Sequence, residues 1–245
     1  MRILWVNGID REDKTVDDPN NAREYAHIYI PSLEMSSWSD GLFVDTVTDD
    51  ALVEELVDAA EYSLVMWSLG ETGVTPPSLT VDERAVIEGI LAAGGSVALS
   101  GAEFGWHLGE YEGEEGLAFI RDVLRGNYIA DSAETQFLNT VVGSDFEDLG
   151  ETSFGTCEHG VNCVEWPDII EPTEESTHES LLTYDTGATA AYSASSGAGR
   201  VLVAGFPFES VPGDIERRAL IESVALHLAP EIAELPEPDC TEPVE

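Results

Sequence analysis

The chain has 245 residues, enough to bury one sizeable core, and its 49 acidic against 10 basic side chains give a formal charge of -39. Such a surface repels phosphate backbones and anionic lipid, which excludes nucleic acid and membrane as partners, and no window approaches the roughly 18 apolar residues of a membrane span. The acids are dispersed rather than gathered in one tail, which favours a salt-adapted protein over an acidic secreted domain that uses divalent cations; in either case low salt should loosen the fold by self-repulsion.

Taken in chain order, residues 2–7 form a short apolar run ended by Gly8 and read as a buried first strand. Residues 22–35 have helical character up to or through Pro31, 42–47 form a second strand, and 50–60 carry apolar residues at helical spacing. A third strand, 62–67, is closed by Gly70 and Glu71. Thr80 and Glu83 have the spacing of a capping box and open a helix to Ala93, after which Gly94-Gly95 leads into a strand at 96–100. This alternation is the pattern of a parallel sheet covered by helices on both faces. The second half is richer in β-structure. A helix at 115–125 is followed by strands at 127–130, 137–142, 180–184, 188–194 and 200–204, then by a helix at 213–228 with Ile215, Ala219, Val224 and Leu228 spaced to face the sheet. The expected division is one domain over 1–229 and an acidic, proline-containing tail or linker over 230–245.

The stretch Gly101-Ala102-Glu103-Phe104-Gly105-Trp106 carries the most chemical information. Two glycines flanking one exposed position at a strand end have the form of a nucleophile elbow. Here that position is Glu103, so thiolate or alkoxide chemistry is not available there. Ligands of open parallel sheets bind at the carboxyl ends of the strands. Those ends carry Asn7, Asp10 and Arg11, then Glu71, then Gly101 and Glu103 with Trp106 beyond, then Glu209. Crowded carboxylates can supply a general acid beside a general base, Glu103 with Glu71 or Asp10. They can equally hold calcium or magnesium, or simply satisfy Arg11. No cofactor is required for the acid and base reading, and calcium or magnesium is the ion that the second would use.

Cys157 and Cys163 flank a short loop containing His159 and can form a disulfide, stay as free thiols or join a metal site. His107, four residues past the elbow, and His178, in an acidic loop, have no thiol to activate; His27 and His227 read as packing or surface residues. Trp5 and Trp67 read as core; Trp38, Trp106 and Trp166 are the tryptophans that a sugar-binding face would use, although core packing is the more frequent role of tryptophan and is favoured for them too.

With these segments in place, together with 166–170 and 199–209, the chain resembles the class I glutamine amidotransferase-like superfamily. It is most similar to the amidotransferase-like domains of secreted bacterial proteins of the golvesin, xanthan lyase and cell-wall amidase type. The resemblance implies a flavodoxin-like three-layer α/β sandwich with a mostly parallel central sheet and β-rich additions in the second half. It does not carry over glutaminase activity, because Glu103 stands where the family has cysteine. The expected function is an accessory or ligand-binding module for a carbohydrate or cell-wall ligand; the alternative is a carboxylate-based hydrolase of glycans or peptides. A third reading is a salt-adapted scaffold. The resemblance and the cysteine pair favour an extracellular or periplasmic setting and further domains beside this one.

Overall fold

The computed structural model describes residues 1–9, 25–34, 41–71, 77–155 and 164–235. Asp10, Arg11, Trp38, Cys157 and Cys163 lie outside the described residues. The strands are β1 (Arg2–Asn7), β2 (Phe43–Thr48), β3 (Leu64–Glu71), β4 (Ser96–Ala102), β5 (Gly126–Ala130), β6 (Phe137–Thr140), β7 (Thr152–Ser153), β8 (Ile169–Pro172), β9 (His178–Tyr184), β10 (Thr189–Ser196) and β11 (Gly199–Ala204). The helices are α1 (Ala26–Glu34), α2 (Asp49–Val53), α3 (Val81–Ala92), α4 (Phe104–Trp106), α5 (Glu114–Asp122) and α6 (Asp214–Leu228).

Among the described residues nine strands form one sheet in the order β2-β1-β3-β4-β11-β10-β9-β6-β7, and β5 and β8 form a separate antiparallel pair. The sheet is open, because β2 and β7 stand at its two edges; it does not close into a barrel. Alternation along each strand sorts the apolar residues onto two faces. Ile3, Trp5, Leu64, Met66, Leu202 and Ala204 pack with Tyr29 of α1 and Leu220, Ile221 and Val224 of α6. Leu4, Val6, Val65, Trp67, Leu99 and Val203 pack on the other face with Ile87 and Leu91 of α3 and Ile120 of α5. Each fully buried aliphatic or aromatic side chain contributes roughly 1.5–3 kcal/mol relative to exposure, so the alternating strands supply most of what holds the layers together.

The α/β class and the large central sheet agree with expectation. So do the parallel set β2, β1, β3, β4 and β11 and the β-rich second half, but β10, β9, β6 and β7 extend the same sheet antiparallel, so the sheet is mixed and is not that of a flavodoxin-like sandwich. The reason is connection length. Ser196 and Gly199 face each other across a turn of Gly197 and Ala198, with Gly197 at φ 60, and a two-residue hairpin can join only antiparallel neighbours.

Three local expectations also change. The helix expected over 50–60 stops at Val53, and Glu55 takes φ 55, so the apolar spacing spans a helix and a separate short turn, Ala59–Glu61. Ile215 is exposed at 81%, because at about 100° per residue it lies on the face of α6 opposite the buried Leu220, Ile221, Val224 and Leu228. Pro230–Glu234 forms a further turn with Ile232 fully buried, so packed chain continues beyond 229. No helix of the described residues is long and apolar enough to cross a membrane.

The capping box is present: Glu83 N donates to Thr80 Oγ1 at 3.3 Å and the Glu83 carboxylate accepts from Thr80 N. Glu83 also hydrogen-bonds Asp49, which is 3% exposed. Burial, followed by the bond and charge of Glu83, raises the Asp49 carboxyl to about 7. A carboxyl raised on folding stabilises fully below its unfolded value, and that contribution is lost as pH climbs through about 7. Asp49→Asn is therefore expected to be about 2 kcal/mol more stable than the parent at pH 8 and nearly equal at pH 4, read by denaturant melts at both values. Equal stabilities at pH 8 would show that the pair does not share a proton.

Candidate active site

The carboxyl ends of β1, β3, β4 and β11 define one edge of the parallel half, and the elbow is built there. Glu103 sits at φ 65, ψ -6 between β4 and α4, a left-handed conformation that a non-glycine residue adopts only under constraint. Close approach explains the second glycine of the motif: a Cβ on Gly105 would meet the Asp168 carboxyl carbon at 2.9 Å and the Tyr128 ring at 3.1 Å. Gly101 is likewise tight, with a Cβ landing 2.7 Å from that of Leu69.

Asp168 is the residue that the sequence reading missed as part of the site. It is fully buried, and its two carboxyl oxygens accept Gly105 N at 2.9 Å and Trp106 N at 3.0 Å. The free amides after the elbow, which elsewhere could receive an anion, are thus filled by the protein's own carboxyl. Its main chain is fixed as well, with Asp168 N donating to the Gly205 carbonyl and the Tyr184 hydroxyl donating to the Asp168 carbonyl, both at 2.9 Å. Burial pushes the Asp168 carboxyl well above the usual carboxylate range against the pull of the two amides. Tyr128 is half-buried beside it, its phenol raised by burial and by the charges of Asp168, Asp131, Glu110 and Glu103. Asp131 is raised by burial and then by Glu110.

Glu71 ends β3 in register with Ala102, one residue before Glu103, so the two glutamates leave neighbouring strands at the same level. Its Oε1 accepts Glu165 N at 2.7 Å and Trp166 N at 2.9 Å. Burial raises this carboxyl despite those bonds, with the charges of Glu103 and Glu165 adding to the rise. Asn7, at the end of β1, lies in register with Ser68 of β3, and its side-chain oxygen accepts Ile9 N at 3.4 Å. Trp106 is half-buried.

Glu209 does not join the crevice. It is fully buried beneath it, accepting from the Tyr29 hydroxyl at 2.8 Å, and Tyr29 also bonds Ser68 and Ser100. Burial raises Glu209 to about 7, partly offset by Tyr29 and Arg217.

Two buried histidines have serine partners. Ser78 Oγ lies 2.9 Å from His107 Nδ1, both buried. Ser193 Oγ lies 2.7 Å from His227 Nε2, and His227 Nδ1 lies 2.7 Å from Asp145. The second set has the order of a serine, histidine and aspartate relay, but Arg200 Nη2 also sits 2.7 Å from Nε2. A guanidinium only donates, so the imidazole lone pair that a base would use is already engaged, and Ser193 is 2% exposed. The set ties α6 to β10 and to the loop after β6. Asp145, Glu179 and His227 offer ligand atoms within 4.8 Å of one another, so among the described residues the converging metal-type donors stand away from the elbow, where calcium or magnesium was expected. Imidazole is a poor partner for either ion.

No family model matches the chain, and no curated protein matches it. Solved structures do. An exo-beta-1,4-mannosidase from Opitutaceae bacterium strain TAV5 is similar at 15% identity and TM-score 0.54, over 93% of this chain and 35% of that one. A beta-galactosidase from the Antarctic haloarchaeon Halorubrum lacusprofundi is similar at 15% identity and TM-score 0.53, over 93% of this chain and 30% of that one. A cytoplasmic protein from Salmonella typhimurium LT2 is similar at 12% identity and TM-score 0.54, over 93% of this chain and 98% of that one. The chain thus spans about a third of the length of the two glycosidases. These findings overturn the expected membership of the class I glutamine amidotransferase-like superfamily: the similar structures include glycoside hydrolases, and no family model supports the amidotransferase assignment.

Proposed function

We propose that this chain is a glycan-directed hydrolytic domain in which Glu71 and Glu103 act as the acid and base pair. The observation that carries the reading is the β3 to β4 register, which sets Glu71 beside Ala102 and so beside the elbow. Adjacent strands run about 5 Å apart, a backbone spacing from which two glutamate side chains can diverge to the roughly 6.5–9.5 Å between the carboxyls of an inverting glycosidase. Glu71, raised by burial, suits the acid that protonates the glycosidic oxygen, while Glu103 takes the part of the base that activates water on the far side of the sugar. The glycosidase names of two similar structures support glycans as the substrate class. The third candidate, Asp10, lies outside the described residues.

A second reading, a carbohydrate-binding accessory module without turnover, draws support from Glu71 Oε1, which already holds two main-chain amides. The readings separate in an assay of aryl β-mannosides and β-galactosides in concentrated potassium chloride. Turnover by the parent chain is expected, with Glu103→Gln slower by about 10²–10⁴-fold. Turnover that survives Glu103→Gln unchanged would sink the acid and base assignment, and binding without turnover would favour the accessory module.

A further inference from the structure

A groove of about 690 Å³ opens beside Trp166, lined in part by Glu134, Gln136, Phe137, Glu165, Trp166 and Asp185. We infer that this groove binds a neutral oligosaccharide, which deepens the glycan reading above by giving the substrate a second region of contact next to Glu71. Phe137 and Trp166 stand 58% and 45% exposed, an arrangement in which aromatic faces can stack on the apolar face of a pyranose ring. Glu134, Glu165 and Asp185 are exposed and offer acceptors for sugar hydroxyls. Among the described residues that line the groove none is lysine, arginine or histidine and three are acidic, so against these a uronate or sulfated glycan meets like charge.

The groove is also held in shape before any ligand arrives. The backbone of Glu165 and Trp166 is clamped by Glu71. Gln136 Nε2 donates to the carbonyls of Gly155 at 2.9 Å and Val164 at 2.8 Å, drawing together the two described chain segments that frame the groove. Phe137 is fixed by Asp185 N, which donates to its carbonyl at 3.1 Å. Glu134 takes φ 54, a strained conformation of the kind that clusters at ligand sites. Because Glu71 bonds directly to Trp166 N, a sugar stacked on Trp166 lies one residue contact away from the proposed acid.

The test is calorimetric titration in concentrated potassium chloride with β-1,4-mannotriose, with trigalacturonate as the anionic counterpart and a trilysine peptide as the cationic one. The expected result is binding of the neutral trisaccharide, at least tenfold weakened in Trp166→Ala and in Phe137→Ala, largely retained in Trp166→Phe, and stronger than binding of trigalacturonate or trilysine. Both aromatic positions are exposed, and a thermal melt of each variant confirms its fold. No binding of the trisaccharide, affinity unchanged in Trp166→Ala and Phe137→Ala, or preference for either charged probe would overturn the inference. Since the readout is binding, a chain that holds the sugar without hydrolysing it keeps the groove and rejects the acid and base pair.

Discussion

Asp168→Ala is expected to lower stability by about 3–5 kcal/mol, a fall in thermal midpoint of roughly 10 °C for a chain of this size. Asp168 is fully buried and is the acceptor for both Gly105 N and Trp106 N. Truncation leaves two amides of the elbow without a partner and empties the space between Tyr128 and β11; each buried unsatisfied group costs about 1–3 kcal/mol. Gly105→Ala reaches the same lesion from the other side, since its Cβ would stand 2.9 Å from the Asp168 carboxyl carbon. Combining the two substitutions should then cost little more than either alone, the non-additivity of residues that share one contact. Denaturant melts of the parent, both single variants and the double variant measure this. A cost below about 1 kcal/mol for Asp168→Ala would mean that the elbow does not depend on this cap.

The second large effect is a pH dependence that Glu209→Gln should remove. Glu209 is fully buried, and its carboxyl is raised to about 7 chiefly by burial. Its Oε1 has no hydrogen-bond partner among the described residues. Because the folded value lies above the unfolded one, its contribution is fully present below the unfolded value near 4.5 and lost as pH rises to about 7. The gap corresponds to about 3 kcal/mol of stability surrendered between pH 4 and pH 8. Glutamine keeps the Tyr29 bond and cannot ionise. The variant should lose that part of the slope and overtake the parent above pH 7, whereas parallel pH profiles would place the carboxylate in a more solvated or better paired setting.

The parallel half was legible in the sequence because its signals are local. Short apolar runs at 2–7, 62–67, 96–100 and 200–204 correspond to β1, β3, β4 and β11, and Thr80 with Glu83 marked the start of α3. Other features depend on contacts distant in sequence. Asp168 lies more than sixty residues from the amides it caps, and nothing in its immediate neighbours announces that role. The antiparallel half could have been read from the short Gly197 turn, but strand direction is a property of pairing and not of composition. Glu209 follows a strand end, as crevice residues do, yet its side chain turns into the core toward Tyr29. Ile215 reads with Val224 and Leu228 as sheet-facing, but the nine residues to Val224 turn an α-helix through about two and a half turns, which puts Ile215 on the opposite, exposed face of α6.

The proposed acid and base pair is tested most directly by the pH dependence of kcat/KM on a neutral β-linked aryl glycoside, for the parent chain, Glu71→Gln and Glu103→Gln. The account predicts a bell for the parent: its acid limb requires Glu103 ionised, and its alkaline limb lies above that of an ordinary glutamate because Glu71, raised by burial, must hold a proton. Glu71→Gln should abolish the alkaline limb, and Glu103→Gln the acid limb. A parent chain with no turnover, or a profile that both substitutions leave intact, would contradict it.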